Sequence, residues 1–179
     1  MKILSTLLFT FLFISQSALM AQTKVFTVQS KANAAVAVEG NLNEGAIMSD
    51  LSWAWNSSNA CFVSTKQDKY SGNHVIYQAE LPRRAEMTVR LIPEDPTANF
   101  SLYAYSGSGD RIVPDLPSCV SCEADHKWDM KWAGRTQDHT RKVQLRAINN
   151  PYTVTIGVVG AHGLTEGAYR LEIILEGGE

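Results

Sequence analysis

From residue 74 onward, apolar side chains fall at every second position in six separate segments. HVIYQAEL (74–81) places Val75, Tyr77 and Ala79 on one face. EMTVRLI (86–92) places Met87, Val89 and Leu91 opposite Glu86, Thr88 and Arg90. NFSLYAY (99–105) sets Phe100, Leu102 and Ala104 against Ser101, Tyr103 and Tyr105. KVQLRAI (142–148), YTVTIGVV (152–159) and AYRLEIIL (168–175) continue with Val143, Leu145 and Ala147; Val154, Ile156 and Val158; and Tyr169, Leu171 and Ile173. Side chains alternate sides along a strand, so each segment reads as a strand with one face in a core and one face wet. KVFTVQ (24–29) adds a weaker strand or edge. Turn clusters separate the segments: Gly72-Asn73, Pro93 to Pro96, Gly107 to Asp110, Asn149-Asn150-Pro151 and Gly160 to Gly167. Many short strands without long helices predict an all-β chain, an antiparallel β-sandwich of jelly-roll or related Greek-key type. One helix is expected over residues 44–56, where Ile47, Leu51 and Ala54 or Trp55 recur at helical spacing.

Residues 1–21 stand apart from this pattern. Lys2 precedes an apolar run over 3–14, then small and polar residues lead to Ala21. This is the layout of a secretory signal peptide, cut after Ala21 or after Ala18. The run is shorter than the ~20 residues that span a bilayer. A secreted or periplasmic location follows, with residues 22–179 as one domain. That segment keeps 15 Lys and Arg against 18 Asp and Glu, a net charge of −3. The balance gives no footprint for nucleic acid or an anionic membrane, and no second apolar stretch is long enough for a transmembrane helix.

The long connection between the two strand triplets, about 106 to 141, has no periodicity and holds most of the reactive side chains. Cys119, Cys122, His126 and His139 have zinc-ligand types, at spacing C-x2-C-x3-H-x12-H. The second Cys or His pair of a strong zinc motif is missing, and secretion favours a disulfide over thiolates. Three cysteines, Cys61, Cys119 and Cys122, leave one over. The bridge is either a tight Cys119–Cys122 ring or a link from Cys61 to one of the pair, and the longer link stabilises more. A redox C-x-x-C needs a βαβ unit, which this chain lacks, and covalent haem needs His where Glu123 stands.

Four tryptophans form two pairs, Trp53 with Trp55 and Trp128 with Trp132. Their rings either plug an open end of the sandwich or present flat faces to a sugar or polymer. Tyr103 and Tyr105, on the expected wet face, extend such a surface or pack across strands. Asp125, Asp129, Asp138 and His139 are either an acid–base set or solvated loop charges. No G-x-S-x-G, H-E-x-x-H or phosphate-loop motif occurs.

HVIYQAELP, EMTVRLIPED, NFSLYAY, NPYTVTIGVVG and GLTEGAYRLEI together resemble the pre-peptidase C-terminal domain family, β-sandwich modules of secreted bacterial proteases and collagenases. The resemblance covers about two-thirds of the mature chain and implies a module that binds collagen or another polymer. Some members bind calcium near their N-terminus; the matching segment here carries Glu39, Glu44 and Asp50 without a tight acidic cluster. No protease domain precedes it, so the expectation is a stand-alone copy. Together these readings predict a secreted, non-catalytic module without cofactor that binds an extracellular polymer or a partner protein. The alternatives are a small zinc enzyme built on residues 119–139 and a structural subunit of a cell-surface assembly.

Overall fold

A computed structural model describes residues 24–55, 61–107, 111–115 and 119–178; the signal-peptide reading lies outside them. Ten strands are present among these residues: β1 (Val25–Thr27), β2 (Ala34–Asn41), β3 (Ala46–Ile47), β4 (Asn73–Leu81), β5 (Ala85–Pro93), β6 (Phe100–Gly107), β7 (Cys122–Asp125), β8 (Arg141–Ala147), β9 (Tyr152–Gly160) and β10 (Ala168–Gly177). They form two sheets, ordered β1-β4-β9-β6-β7, with β3 also on β4, and β2-β10-β5-β8. The chain passes from one sheet to the other at most connections, and β9 and β10 close the centres of their sheets. This is a jelly roll, with β1 and β3 added at the β4 edge. β1 runs parallel to β4; the other pairings are antiparallel.

The faces named by the alternation meet between the sheets. Val75, Tyr77, Ala79, Met87, Val89, Leu91, Phe100, Leu102, Ala104, Val143, Leu145, Val154, Ile156, Leu171 and Ile173 are buried in one core. Burying an aliphatic or aromatic side chain of this size contributes about 1.5–3 kcal/mol, so this interface dominates the fold's stability. The outer face of the four-stranded sheet is polar, as the sequence predicts. There Arg90 and Arg170 flank Glu172 at 2.9 and 3.2 Å, and Gln144 donates to Glu86 and Thr88.

The outer face of the six-stranded sheet is not wet. Ile76, Tyr103, Tyr105 and Val159 lie beneath a second apolar layer of Leu51, Trp53, Ala54, Phe62, Tyr70 and Val113. Trp53 meets Tyr103 and Tyr105 at centroid distances of 5.5 and 5.4 Å, and Phe62 stacks on Tyr70 at 3.8 Å. The Tyr103 ring covers Gly157, its partner on β9, where an added Cβ would fall within the ring's van der Waals thickness. Glycine is the residue that permits this close approach.

The expected helix over 44–56 is absent from its described residues, 44–55. The segment is instead a 3-10 turn (Leu42–Glu44), β3, and a second 3-10 turn (Ser52–Ala54). Asn41 and Glu44 cap the first turn reciprocally, and Gly45 lies against the His74 backbone with no room for a side chain. A helix would lift this stretch off the β4 edge. A third 3-10 helix, Ser64–Tyr70, carries Tyr70 into the outer layer.

Candidate functional site

The connection from β7 to β8 is built up from its fastenings. At the head of β7, the strand that leads into it, Cys122 is bonded to Cys61, so the overlying layer and this strand are covalently joined. Just before, the Ser106 hydroxyl accepts from the backbone N–H of Val120 and Ser121 at 2.9 and 2.6 Å and donates to Ser121 O. His126 Nδ1 lies 3.2 Å from the Tyr70 hydroxyl. Burial holds the Tyr70 phenol above its usual range and pushes the His126 imidazole down. The phenol therefore keeps its proton, and the hydroxyl and the ring nitrogen share one hydrogen bond. Asp129 pairs with Lys66, and with Lys69 at 2.8 Å, both on the Ser64–Tyr70 helix. At the far end, buried Arg141 donates to the carbonyls of Phe100, Asp138 and Thr140 at 2.9 to 3.1 Å. Asp125 accepts from Lys142 N at 2.9 Å, drawing the two ends together.

The middle of this fastened loop projects apolar side chains. Trp128, Met130 and Trp132 are 46%, 71% and 59% exposed. Arg135 N donates to Trp132 O across a turn in which Gly134 takes φ +73°, a conformation that favours glycine. The side chains line a cleft of about 350 Å³ together with Lys127, Lys131, Arg135, Gln137 and His139. A concave surface with large amphipathic rings and a few charges is a common form of binding site.

No family model and no curated protein matches the chain. Several solved structures are similar to it. PliG, a periplasmic inhibitor of g-type lysozyme from Aeromonas hydrophila, has a TM-score of 0.42 and 11% identity over 86% of this chain and 99% of its own. The pre-peptidase C-terminal domain of collagenase from Bacillus anthracis has a TM-score of 0.40 and 11% identity over 86% and 96%. CorA, a surface-associated copper-binding protein from Methylomicrobium album BG8, has a TM-score of 0.44 and 8% identity over 86% and 97%. Likenesses of this size carry no argument about ligand or activity, and the family resemblance of the sequence motifs goes no further than the sandwich.

The structure separates the sequence-derived candidates. Of the cysteine alternatives, Cys61–Cys122 forms and the Cys119–Cys122 ring does not. Cys119 is half-buried against the outer layer, and burial pushes its thiol up, away from the reactive range. The proposed ligand set Cys119, Cys122, His126 and His139 is not assembled, because Cys122 has no thiolate to offer and His126 is held by Tyr70. Among the described residues no three His, Cys, Asp or Glu side chains converge on a common point. Glu44 and Asp50, weighed for calcium, serve as caps on Asn41 N and Ser52 N.

Tyr103 and Tyr105 are fully buried, and Trp53 nearly so; none of the three presents a face to a ligand. The second apolar layer displaced water from a face that the alternation left open. Trp55 is half-buried beside Phe62. The three acid–base carboxylates are occupied: Asp125 by Lys142 N, Asp129 by the two lysines, and Asp138 by Thr140 N, which holds its carboxyl below the usual range; His139 lines the cleft instead. A general acid or base needs a pKa near the working pH, and the Asp138 carboxyl is moved away from it. Sequence reasoning passed over Met130, Lys131 and Arg135, although KWDMKWAGR interleaves cations with apolar side chains in plain view.

Proposed function

We propose that the chain is a secreted, non-catalytic β-sandwich module that holds an extracellular ligand in the cleft lined by Trp128 and Trp132. One observation carries the reading: two half-exposed indoles stand on a loop fixed at both ends by a disulfide, an ion-pair cluster and buried Arg141. Exposed aromatics on a mobile loop lose binding energy to ordering, and fixing the loop beforehand removes that cost. Two independent features support an extracytoplasmic setting. These are the signal-peptide layout of residues 1–21 and a disulfide, which persists in oxidising compartments. In this reading no metal or cofactor takes part, and the ligand is a polymer or a protein.

The test is retention of the purified mature protein on insoluble polysaccharides, collagen and cell-envelope fractions, beside a Trp128→Ala/Trp132→Ala variant. The expected result is retention on at least one matrix, weakened about tenfold or more in the variant, since aromatic anchors of this kind carry most of a binding energy. The variant should unfold at the same temperature as the parent, because both rings are outside the two cores. Retention on nothing, or equal retention of the two proteins, contradicts the reading.

A further inference from the structure

We infer that the Trp128–Trp132 cleft takes an acidic polysaccharide, a chain of sugars bearing carboxylate or sulfate groups. The inference rests on the binding role just proposed and names the ligand's chemistry. Three cations, Lys127, Lys131 and Arg135, line the cleft with the two indoles and Met130. Asp129, the carboxylate among the lining residues, is turned to Lys66 and Lys69 and so does not oppose them. Asp138, next to the lining residues Gln137 and His139, accepts from the Thr140 backbone. The excess positive charge is local, in a chain whose overall balance is slightly acidic.

The fold then chooses between a sugar and a peptide. Extended peptides are held by adding a strand to an open sheet edge, where main-chain hydrogen bonds supply affinity. Two edge strands flank the loop, β7, only four residues long, and β8; the cleft is lined by residues of neither, and Asp125 accepting from Lys142 N ties the end of one to the start of the other. The described residues between β7 and β8 contain no strand. Recognition therefore falls on ring faces and charges. The apolar face of a sugar ring stacks on an indole, and Arg and Lys hold the acid groups, Arg with a planar fork that matches a carboxylate. A pyranose chain with acid substituents offers both features repeatedly along its length.

The experiment is a titration of the mature protein, followed by its tryptophan fluorescence, with four probes. These are polygalacturonate, dextran sulfate, unsubstituted dextran and poly-glutamate. The first two separate carboxylate from sulfate as the source of charge, dextran tests charge itself, and poly-glutamate tests the acidic peptide. At least one of the two acidic sugars should bind about tenfold or more tighter than both dextran and poly-glutamate, a difference of about 1.4 kcal/mol. A Lys127→Gln/Lys131→Gln/Arg135→Gln variant should lose about tenfold on the acidic sugar, as should Trp128→Ala/Trp132→Ala. Binding should also weaken several-fold in about 1 M salt, where the screening length falls to about 3 Å. Stronger binding of poly-glutamate, equal binding of dextran, or no binding of either acidic sugar overturns the inference. The matrix experiment separates the two failures: retention that depends on the indoles but not on charge ends this inference and leaves the binding role standing.

Discussion

His74 is the buried side chain with the clearest pH consequence. Its Nε2–H donates to Tyr70 O at 2.9 Å, which fixes the tautomer, and Nδ1 accepts from the Tyr103 hydroxyl at 3.2 Å. Burial pushes its pKa down from 6.5 to about 4, against a weaker raising effect from the Tyr70 carbonyl. Between those two values the unfolded chain binds a proton that the native state refuses, so stability falls as pH falls through that window. The loss is of the order of 3 kcal/mol, at ~1.4 kcal/mol per pKa unit. His126, also pushed down by burial, adds in the same direction. Urea unfolding at pH 7 and pH 4 should show this loss, and His74→Gln, which keeps a donor and an acceptor but does not titrate, should lose distinctly less. A parallel decline in both proteins would assign the acid sensitivity elsewhere. None of this was legible in the sequence. His74 sits at the head of a strand with no partner in view, and Tyr103, whose hydroxyl it meets, stood on the face expected to be wet. An aromatic at every second place on that face, where the other strands carry Arg, Glu and Gln, was the available signal.

At the scale of elements, the outer layer depends on one covalent tie. The Cys61–Cys122 bridge spans a sequence separation of 61 and joins the overlay, described at 48–55 and 61–70, to β7. Chain-entropy reasoning gives about 4 kcal/mol for a loop of that length. Cys61→Ser/Cys122→Ser should therefore unfold at distinctly lower urea concentration. It should also shift tryptophan emission to longer wavelength below the main transition, as Trp53 leaves its seat on Tyr103 and Tyr105. A single sharp transition at the parent's midpoint would show that apolar packing alone holds the layer. The inner core was readable because each of the six alternating segments keeps one face apolar throughout, and sheet pairing simply brings those faces together. The overlay was not. It consists of 3-10 turns and extended pieces whose shape is set by Gly45, the Asn41–Glu44 cap and the disulfide rather than by any period. Helical spacing of Ile47, Leu51 and Trp55 over so short a stretch could not compete with those tertiary contacts. β2 was missed for a related reason. AAVAVEGN has small side chains, and its inward positions are only half-buried, so its alternation is faint in the sequence.

Taken whole, the molecule has two unlike outer faces. The four-stranded sheet shows charged rows to water, while the six-stranded sheet is roofed by aromatics and fastened to a loop that carries its own indoles outward. The roof accounts for Trp53, Tyr103 and Tyr105 as packing. Trp128 and Trp132 have no such explanation, and the loop's multiple anchors make them a prepared surface. The four indole N–H groups can be followed separately by nitrogen–proton NMR while polygalacturonate, dextran sulfate or a fragment of whichever matrix retains the protein is added. The resonances of Trp128 and Trp132 should move or broaden, while that of Trp53, whose Nε1–H donates to Met48 Sδ inside the roof, should stay in place. Movement of Trp53 with Trp128 and Trp132 unchanged would place binding elsewhere on the fold and contradict the account.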